Sequence, residues 1–267
     1  MLEERLQKWT KRLGKAGPRN LVRWARWALV RAEGAAWERY FGVDTARPFD
    51  NGVYAERRDC IRYQPLPWLL LRNAIDALPV TREDVFLDYG CGMGRVLLMV
   101  ARREVKRVMG IELFAQLADI ARQNVNAARP RLRSPVEIIV DDATAWEVPD
   151  DVTVAFLFNP FVGTVMAAAQ RRLADSLARK PRRLRVVYAH ADDQPNLFAD
   201  CPWLRPPQRV GVGPFKGMNV LVYESRPAAL SMKVAAQRGA AGWPSEPRGA
   251  VDAASVLRGA PEERPTE

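Results

Sequence analysis

Histidine and cysteine are scarce in this sequence: its 267 residues include one histidine, His190, and three cysteines. The cysteines, Cys60, Cys91 and Cys201, follow neither the spacing of a zinc site nor that of a disulfide framework. We therefore predict no metal site. A reducing, cytoplasmic location fits this cysteine content best.

Long apolar runs are also missing. The sequence contains no stretch of about eighteen uncharged apolar residues, the length that a membrane-spanning helix needs, so no membrane span is predicted. Its first residues, MLEERLQKWTKRLGKAG, mix acidic and basic side chains without an apolar segment. That pattern argues against a secretory signal.

Positive charge is in excess, with a formal net charge of +10, and it is concentrated near the start of the chain. Residues 1–40 contain ten Lys and Arg against four Asp and Glu, a net of +6. Residues 3–13 and 20–40 are predicted helices, and residues 1–62 are interpreted as a basic helical extension. Such a segment is either a solvated helical surface or a contact for nucleic acid, an anionic membrane or an acidic protein.

The middle of the chain alternates between strand and helix patterns, which is typical of an α/β fold with a mostly parallel sheet. Several strands are continuously apolar, as strands buried on both faces are. The predicted strands are 85–89, 107–111, 136–140, 152–158 and 184–189, and the predicted helices are 68–78, 93–103, 113–128 and 163–178.

The last strands break this alternation. Residues 209–225 contain two strand-like runs around the short segment GPFKG, which predicts an antiparallel hairpin and brings the sheet to seven strands. Residues 63–226 are predicted to form the main domain. Residues 227–267 have few large apolar side chains and are predicted to be disordered.

A glycine-rich turn follows the first of these strands, in the stretch Asp88-Tyr-Gly90-Cys-Gly92-Met-Gly94. A strand, such a turn and a helix form a cradle for a nucleotide, with backbone N–H groups and the helix N-terminus facing the ligand. The dinucleotide fingerprint is Gly-x-Gly-x-x-Gly, so the third glycine here lies one position early. Asp88 would repel a pyrophosphate but attract an ammonium group.

This stretch resembles the first motif of the class I S-adenosylmethionine-dependent methyltransferases, which have a Rossmann-like fold with helices on both faces of the sheet. The resemblance implies that the turn holds the amino-acid end of S-adenosylmethionine and that Asp88 positions its ammonium group. Glu112, at the end of the second strand, lies where a carboxylate accepts both ribose hydroxyls. Asp142 would bind the adenine amino group, and the Ala143 N–H a ring nitrogen. The expected cofactor contacts are Asp88, Gly90, Cys91, Gly92, Gly94, Glu112, Leu113, Asp142, Ala143 and Asn159.

Asn159-Pro160-Phe161 follows the fourth strand and resembles the Asn/Asp-Pro-Pro-Tyr/Phe motif of family members that methylate amino nitrogens. One proline stands here in place of two. Tyr63, in Tyr-Gln-Pro, resembles the Tyr-x-Pro stretch of protein-lysine methyltransferases, where a tyrosine closes over the methionine end of the cofactor. The expected catalytic residues are therefore Asn159, Pro160, Phe161 and Tyr63.

Other interpretations stay open from the residues alone. Glu112 and Asp142 are also suited to helix N-termini, and Asn-Pro is a common turn. His190 is either a general base or structural.

The sequence favours methyl transfer to an amino nitrogen of a protein side chain. The alternatives are RNA, which the basic N-terminus would suit, or a small molecule as acceptor, and a nucleotide-dependent dehydrogenase or non-catalytic relative. The oligomeric state is not predicted.

Overall fold

A computed structural model of the chain describes residues 18–49, 59–189, 197–198, 200–211 and 219–226. In chain order, the helices are α1 (Pro18–Phe41), α2 (Trp68–Asp76), α3 (Arg95–Ala101), α4 (Ala115–Ala128) and α5 (Gly163–Arg179), with a short 3-10 helix at Arg129–Arg131. The strands are β1 (Val85–Tyr89), β2 (Arg107–Glu112), β3 (Val136–Val140), β4 (Val154–Phe158), β5 (Arg185–Ala189), β6 (Gln208–Gly211) and β7 (Asn219–Glu224).

The seven strands form one sheet in the order β3-β2-β1-β4-β5-β7-β6. Strands β1 to β5 are parallel to one another, whereas β7 pairs antiparallel with both β5 and β6. The predicted Rossmann-like sheet and its C-terminal antiparallel pair are confirmed. The order reverses between β1 and β4, and ligands of open α/β sheets bind at such a point, beyond the carboxyl ends of the strands.

Helices cover both faces of the sheet because successive strand residues point to opposite faces. On β1, Phe86 packs with the side chains of α1, α2 and α3, while Leu87 and Tyr89 pack with those of α5. All five β1 residues are buried, as the continuous apolar pattern predicted. The glycine turn that follows β1 is thus anchored in the core on both sides.

Helix α1 lies partly on this core. Phe41 at its end is fully buried and stacks on Trp68, with ring centroids 5.4 Å apart. Towards its start the helix is more open, because the Trp24 and Leu29 side chains are exposed and do not pack against the domain. The expected helix 3–13, the tail 227–267 and His190 lie outside the described residues.

Within the described ranges, none of the helices is long and apolar enough to cross a membrane. The three cysteines are free thiols, and two of them, Cys91 and Cys201, are buried. No group of three or more His, Cys, Asp or Glu in this part of the chain is placed to hold a metal ion.

Candidate cofactor and acceptor site

A cleft opens at the carboxyl ends of β1, β2 and β4, where the strand order reverses. Its empty space is about 1040 Å³, counted out to its open mouth. The cleft is lined by every expected site residue except Gly94: Tyr63, Asp88, Gly90, Cys91, Gly92, Glu112, Leu113, Asp142, Ala143, Asn159, Pro160 and Phe161. Residues from five separate segments of the chain therefore meet at one edge of the sheet.

The glycine turn uses most of its own N–H groups. Gly90 and Cys91 both donate to the Ile111 carbonyl, at 2.9 and 3.1 Å, and Gly94 donates to Cys91 at 2.8 Å. The Gly92 N–H donates to Glu112 Oε2 at 2.9 Å. The expectation that this turn presents these N–H groups to a ligand is therefore wrong; they fix the turn onto β2.

The glycines serve close packing. Gly90 and Gly92 have φ values of +69° and +52°, a region that favours glycine. A Cβ on Gly92 would lie 2.4 Å from the Tyr63 ring, and one on Gly90 would lie 2.8 Å from Pro160. Tyr63 therefore lies directly against the turn. At Gly94 a Cβ would meet Ala121 at 3.2 Å, so this glycine serves the packing of α3 on α4 and not the cleft.

Two carboxylates flank the turn. Asp88 is only 2% exposed, and no described residue donates a hydrogen bond to its side chain. Burial, and secondarily the neighbouring Glu112, raise the pKa of Asp88 well above its usual value. Burial also raises the pKa of Glu112, against the opposing effect of N–H groups from Phe114, Gly92 and Leu113. Since a buried carboxylate without a partner is costly, this arrangement suits a cationic ligand.

Asp88 predicts a specific pH dependence of cofactor binding. A ligand ammonium needs the ionised carboxylate, so affinity should fall as the pH drops through the raised pKa of Asp88. The fall should thus begin above the usual Asp range of about 4. Asp88→Asn should bind weakly and lose most of this dependence, with the remainder due to Glu112, whereas Asp119→Asn, at an exposed ion pair on α4, should keep it. Calorimetric titrations between pH 5 and about 8 would check this; a dependence unchanged in Asp88→Asn would contradict it.

Behind the turn, Arg95 is held in a network that the sequence analysis missed. Its guanidinium donates to Thr45 Oγ1 at 2.7 Å, to the Leu66 carbonyl at 2.9 Å and to Glu38 Oε1 at 2.8 Å. Burial lowers the pKa of Arg95, with partial compensation from Tyr63 and Glu38. An arginine that opens the otherwise apolar helix RVLLMVA signals a buried charge. Its partner lies 57 residues away, so sequence spacing could not identify it.

Glu38 is the acceptor at the centre of this network. Its carboxylate accepts from Arg95, from the Thr45 N–H and hydroxyl, at 3.0 and 2.6 Å, and from the Trp68 indole at 2.9 Å. The Thr45 carbonyl in turn accepts the Tyr63 hydroxyl at 2.7 Å. Helix α1 and the segment after it, which were predicted as parts of the extension 1–62, therefore hold Tyr63 against the turn.

Glu38→Gln should destabilise the fold by about 3 kcal/mol, because it leaves the Arg95 charge uncompensated and offers one oxygen to donors that now share two. Asp119→Asn breaks an exposed ion pair and should cost less than about 0.5 kcal/mol. Urea unfolding of the two variants would measure the difference. Equal losses in both would show that the Glu38 network adds no stability.

Asp142 closes a local turn. Its Oδ1 accepts the Thr144 N–H at 2.9 Å and the Thr144 hydroxyl at 2.8 Å. Its carbonyl accepts the N–H groups of Ala145 and Trp146. The carboxylate thus accepts backbone and side-chain hydrogen bonds within a turn, as an N-cap does, although no helix begins here. The residue also lines the cleft beside Ala143. Binding of adenine by these two residues stays a prediction.

Asn159 follows β4 with a φ of +45°, in the left-handed region. Although a following proline favours an extended residue, the chain turns sharply at Asn159, and asparagine tolerates this left-handed conformation. The side chain is 8% exposed, and the Tyr188 hydroxyl lies 3.5 Å from its Oδ1. Tyr188, buried on β5, had no motif to reveal it.

The other two residues of this motif are engaged elsewhere. The Pro160 carbonyl accepts the Ile61 N–H at 3.2 Å, and Phe161 forms an antiparallel bridge with Cys60. The Phe161 ring is 5% exposed and packs edge-to-face on Tyr89. These contacts join the Tyr63 segment to the end of β4. They leave Asn159 as the polar side chain of this motif in the cleft.

The chain is similar to known proteins over this part. Residues 86–183 match the family described as "Methyltransferase domain". Indolepyruvate C-methyltransferase of Streptomyces griseus is 30% identical over 165 residues, 59% of this chain and 49% of that protein. Ribosomal protein L11 methyltransferase of Shewanella denitrificans is 26% identical over 141 residues, 53% of this chain and 41% of that protein. The chain spans about half the length of these curated relatives.

Among solved structures, an RNA methyltransferase from Salinibacter ruber in complex with S-adenosyl-L-homocysteine covers 61% of this chain and 94% of its own. The two have a TM-score of 0.46 and 22% sequence identity.

Proposed function

We propose that the chain is a class I S-adenosylmethionine-dependent methyltransferase that methylates an amino nitrogen of a protein side chain, and the match of residues 86–183 to the family described as "Methyltransferase domain" supports the methyl-transfer part. One observation carries the cofactor part of this proposal: Asp88 and Glu112 flank the glycine turn as two buried carboxylates in one cleft. When bound, S-adenosylmethionine supplies an electrophilic methyl group on a sulfonium.

The residues present fit this cofactor. Asp88, which no described residue neutralises, would bind the ammonium group. Each Glu112 oxygen accepts a backbone N–H and keeps a second lone pair for a ribose hydroxyl. A pyrophosphate, by contrast, would meet the Asp88 carboxylate at this turn, which together with the early third glycine disfavours a dinucleotide and hence a dehydrogenase.

Asn159 supports the choice of an amine as acceptor. Its amide oxygen can accept an N–H of the incoming amine and so orient the nitrogen lone pair without removing the proton. The Tyr188 hydroxyl beside Oδ1 would fix the orientation of the amide. Pro160, whose carbonyl already accepts the Ile61 N–H, would contribute less than the motif implies.

Two observations bear on the choice of a protein acceptor. Tyr63 lies against the glycine turn, which supports the role that the Tyr-x-Pro resemblance implies, closure over the methionine end of the cofactor. The name of the Shewanella relative gives a ribosomal protein as its substrate, whereas the name of the Streptomyces relative gives indolepyruvate, a small molecule, with methylation at carbon. Incubation of the purified chain with labelled S-adenosylmethionine and separated protein, RNA and metabolite fractions would decide. Label on protein amines supports the proposal, and label confined to another fraction overturns it.

A further inference from the structure

A cluster of arginines lies away from the cleft, on the face formed by α1, α3 and the 3-10 helix. This arginine patch consists of Arg102 and Arg131, which lie beside the Tyr40 ring, together with Arg129 and Arg133 on the same segment as Arg131. Arg102 is half-buried and the other three arginines are exposed. Tyr40 is 43% exposed.

Aromatic rings hold two of these arginines in place. The Arg102 guanidinium lies 4.6 Å from the Trp37 ring centroid and 5.6 Å from that of Tyr40. The Arg131 guanidinium lies 5.4 Å from the Tyr40 centroid. Such cation–π contacts restrict the side chains while leaving N–H donors free for a ligand, which lowers the entropy lost on binding.

The backbone beneath the patch is fixed as well. Arg133 and Ser134 both donate their N–H groups to the Ala101 carbonyl, at 2.7 and 3.1 Å. The Ser134 hydroxyl contacts the Arg103 and Val105 carbonyls at 2.6 and 2.9 Å. The segment that carries Arg129, Arg131 and Arg133 is thus joined to the end of α3, so the backbone positions of the four arginines are fixed relative to one another.

No carboxylate neutralises the patch. Over the described ranges, none of its four arginines has an Asp or Glu oxygen within 4 Å. The nearby acids have other partners: Asp76 pairs with Arg103, Glu104 with Arg82, and Glu33 with Arg72 and the Trp37 indole. Four arginines therefore lie on one face without acidic partners in the described part of the chain, and two of their guanidinium groups, those of Arg102 and Arg131, are held against aromatic rings.

We propose that the arginine patch binds the phosphodiester backbone of a nucleic acid. All four cations are arginine, whose planar fork matches phosphate oxygens in a bidentate way. The headgroups of an anionic membrane are phosphodiesters too, but they carry no bases, whereas the half-exposed Tyr40 ring beside Arg102 and Arg131 offers a base a stacking surface. The patch acts through phosphates and so predicts binding without strong sequence preference. This binding is independent of S-adenosylmethionine and of the acceptor atom.

Fluorescence anisotropy of the full chain with labelled RNA and DNA strands of one sequence, over a range of salt concentrations, tests the proposal. The triple variant Arg129→Gln, Arg131→Gln, Arg133→Gln should bind at least about tenfold more weakly at about 0.1 M salt. Its slope of log K against log salt should shrink by about 2, since three phosphate contacts are lost. A difference between the RNA and DNA arms would identify which nucleic acid the patch prefers.

The matched control Arg171→Gln, Arg183→Gln, Arg205→Gln removes three exposed arginines elsewhere and should leave affinity within about twofold. Exchange of the three patch arginines for lysine keeps the charge and should still weaken binding. The proposal is overturned if patch and control variants bind alike, or if the lysine variant matches the wild type. Equal binding of polyglutamate or phosphatidylserine vesicles would overturn it too. Thermal melting of each variant confirms folding, and cofactor titration keeps this outcome separate from that of the methyl-transfer proposal.

Discussion

Asn159→Ala should lower kcat on the acceptor roughly a hundredfold while the Kd for S-adenosylmethionine changes only a few-fold. The contribution is positional: a misplacement of about 1 Å at a reacting group is enough for such a loss. The amide sits at the end of β4, where the buried strand fixes its backbone and the Tyr188 hydroxyl contacts its oxygen. Single-turnover kinetics with a saturating cofactor would measure the effect.

Two further variants separate the side chain from the backbone. Because Asn159 has a φ of +45°, alanine there is strained, whereas Asn159→Gly removes the amide without that strain. Both should lose turnover to a similar extent. Tyr188→Phe should lose only a few-fold, since it removes one contact to the amide. If turnover survives in Asn159→Gly, the amine interpretation fails and an oxygen or carbon acceptor takes precedence.

Gly92→Val should weaken cofactor binding at least about a hundredfold and also lower stability. The residue has a φ of +52°, and its new Cβ would lie 2.4 and 2.7 Å from two ring atoms of Tyr63. Valine adds β-branching to that clash, so either the turn or Tyr63 must move, at a cost of about 3 kcal/mol. Cofactor titration and thermal melting would report the two effects.

Gly42 provides the matched comparison. Its φ of +73° imposes similar backbone strain, but a Cβ there meets nothing within 4 Å. Gly42→Ala should therefore lower the free energy of unfolding by only about 1 kcal/mol, through backbone strain, and should leave cofactor affinity unchanged. Gly92→Ala should lower both stability and cofactor affinity. Equal behaviour of the two alanine variants would show that the contact between Gly92 and Tyr63 does not shape the site.

The sequence predicted the sheet well because each strand is marked by the residues of its own short segment. Continuous apolar runs such as Val85–Tyr89 require burial on both faces, and helices between such runs make a parallel arrangement the natural one. Helix ends were less well predicted: the expected helix 93–103 is Arg95–Ala101, since Gly94 at φ +87° lies outside it. The apolar pattern of the sequence extends beyond both ends of this helix, so it does not show where the backbone leaves the helical conformation.

The sequence predicted which residues line the cleft, but not the contacts that hold them in place. Asp88, Glu112 and Asn159 line one cleft because each follows or ends a neighbouring strand. The contact of Glu38 with Arg95, and the position of Tyr188 beside Asn159, depend on tertiary packing between distant segments. The left-handed Asn159 likewise opposed the local preference before proline, which tertiary contacts at Pro160 and Phe161 outweigh.

Calorimetric titration of the purified chain with S-adenosylmethionine, and with NAD in parallel, tests the central claim most directly when it includes Glu112→Ala. The account predicts saturable 1:1 binding of S-adenosylmethionine and none of NAD. It also predicts an affinity lower by on the order of tenfold to a few hundredfold in Glu112→Ala, because hydrogen bonds to a charged carboxylate worth about 1.5–3 kcal/mol are lost. Binding of NAD in preference to S-adenosylmethionine, or unchanged affinity in Glu112→Ala, would contradict it.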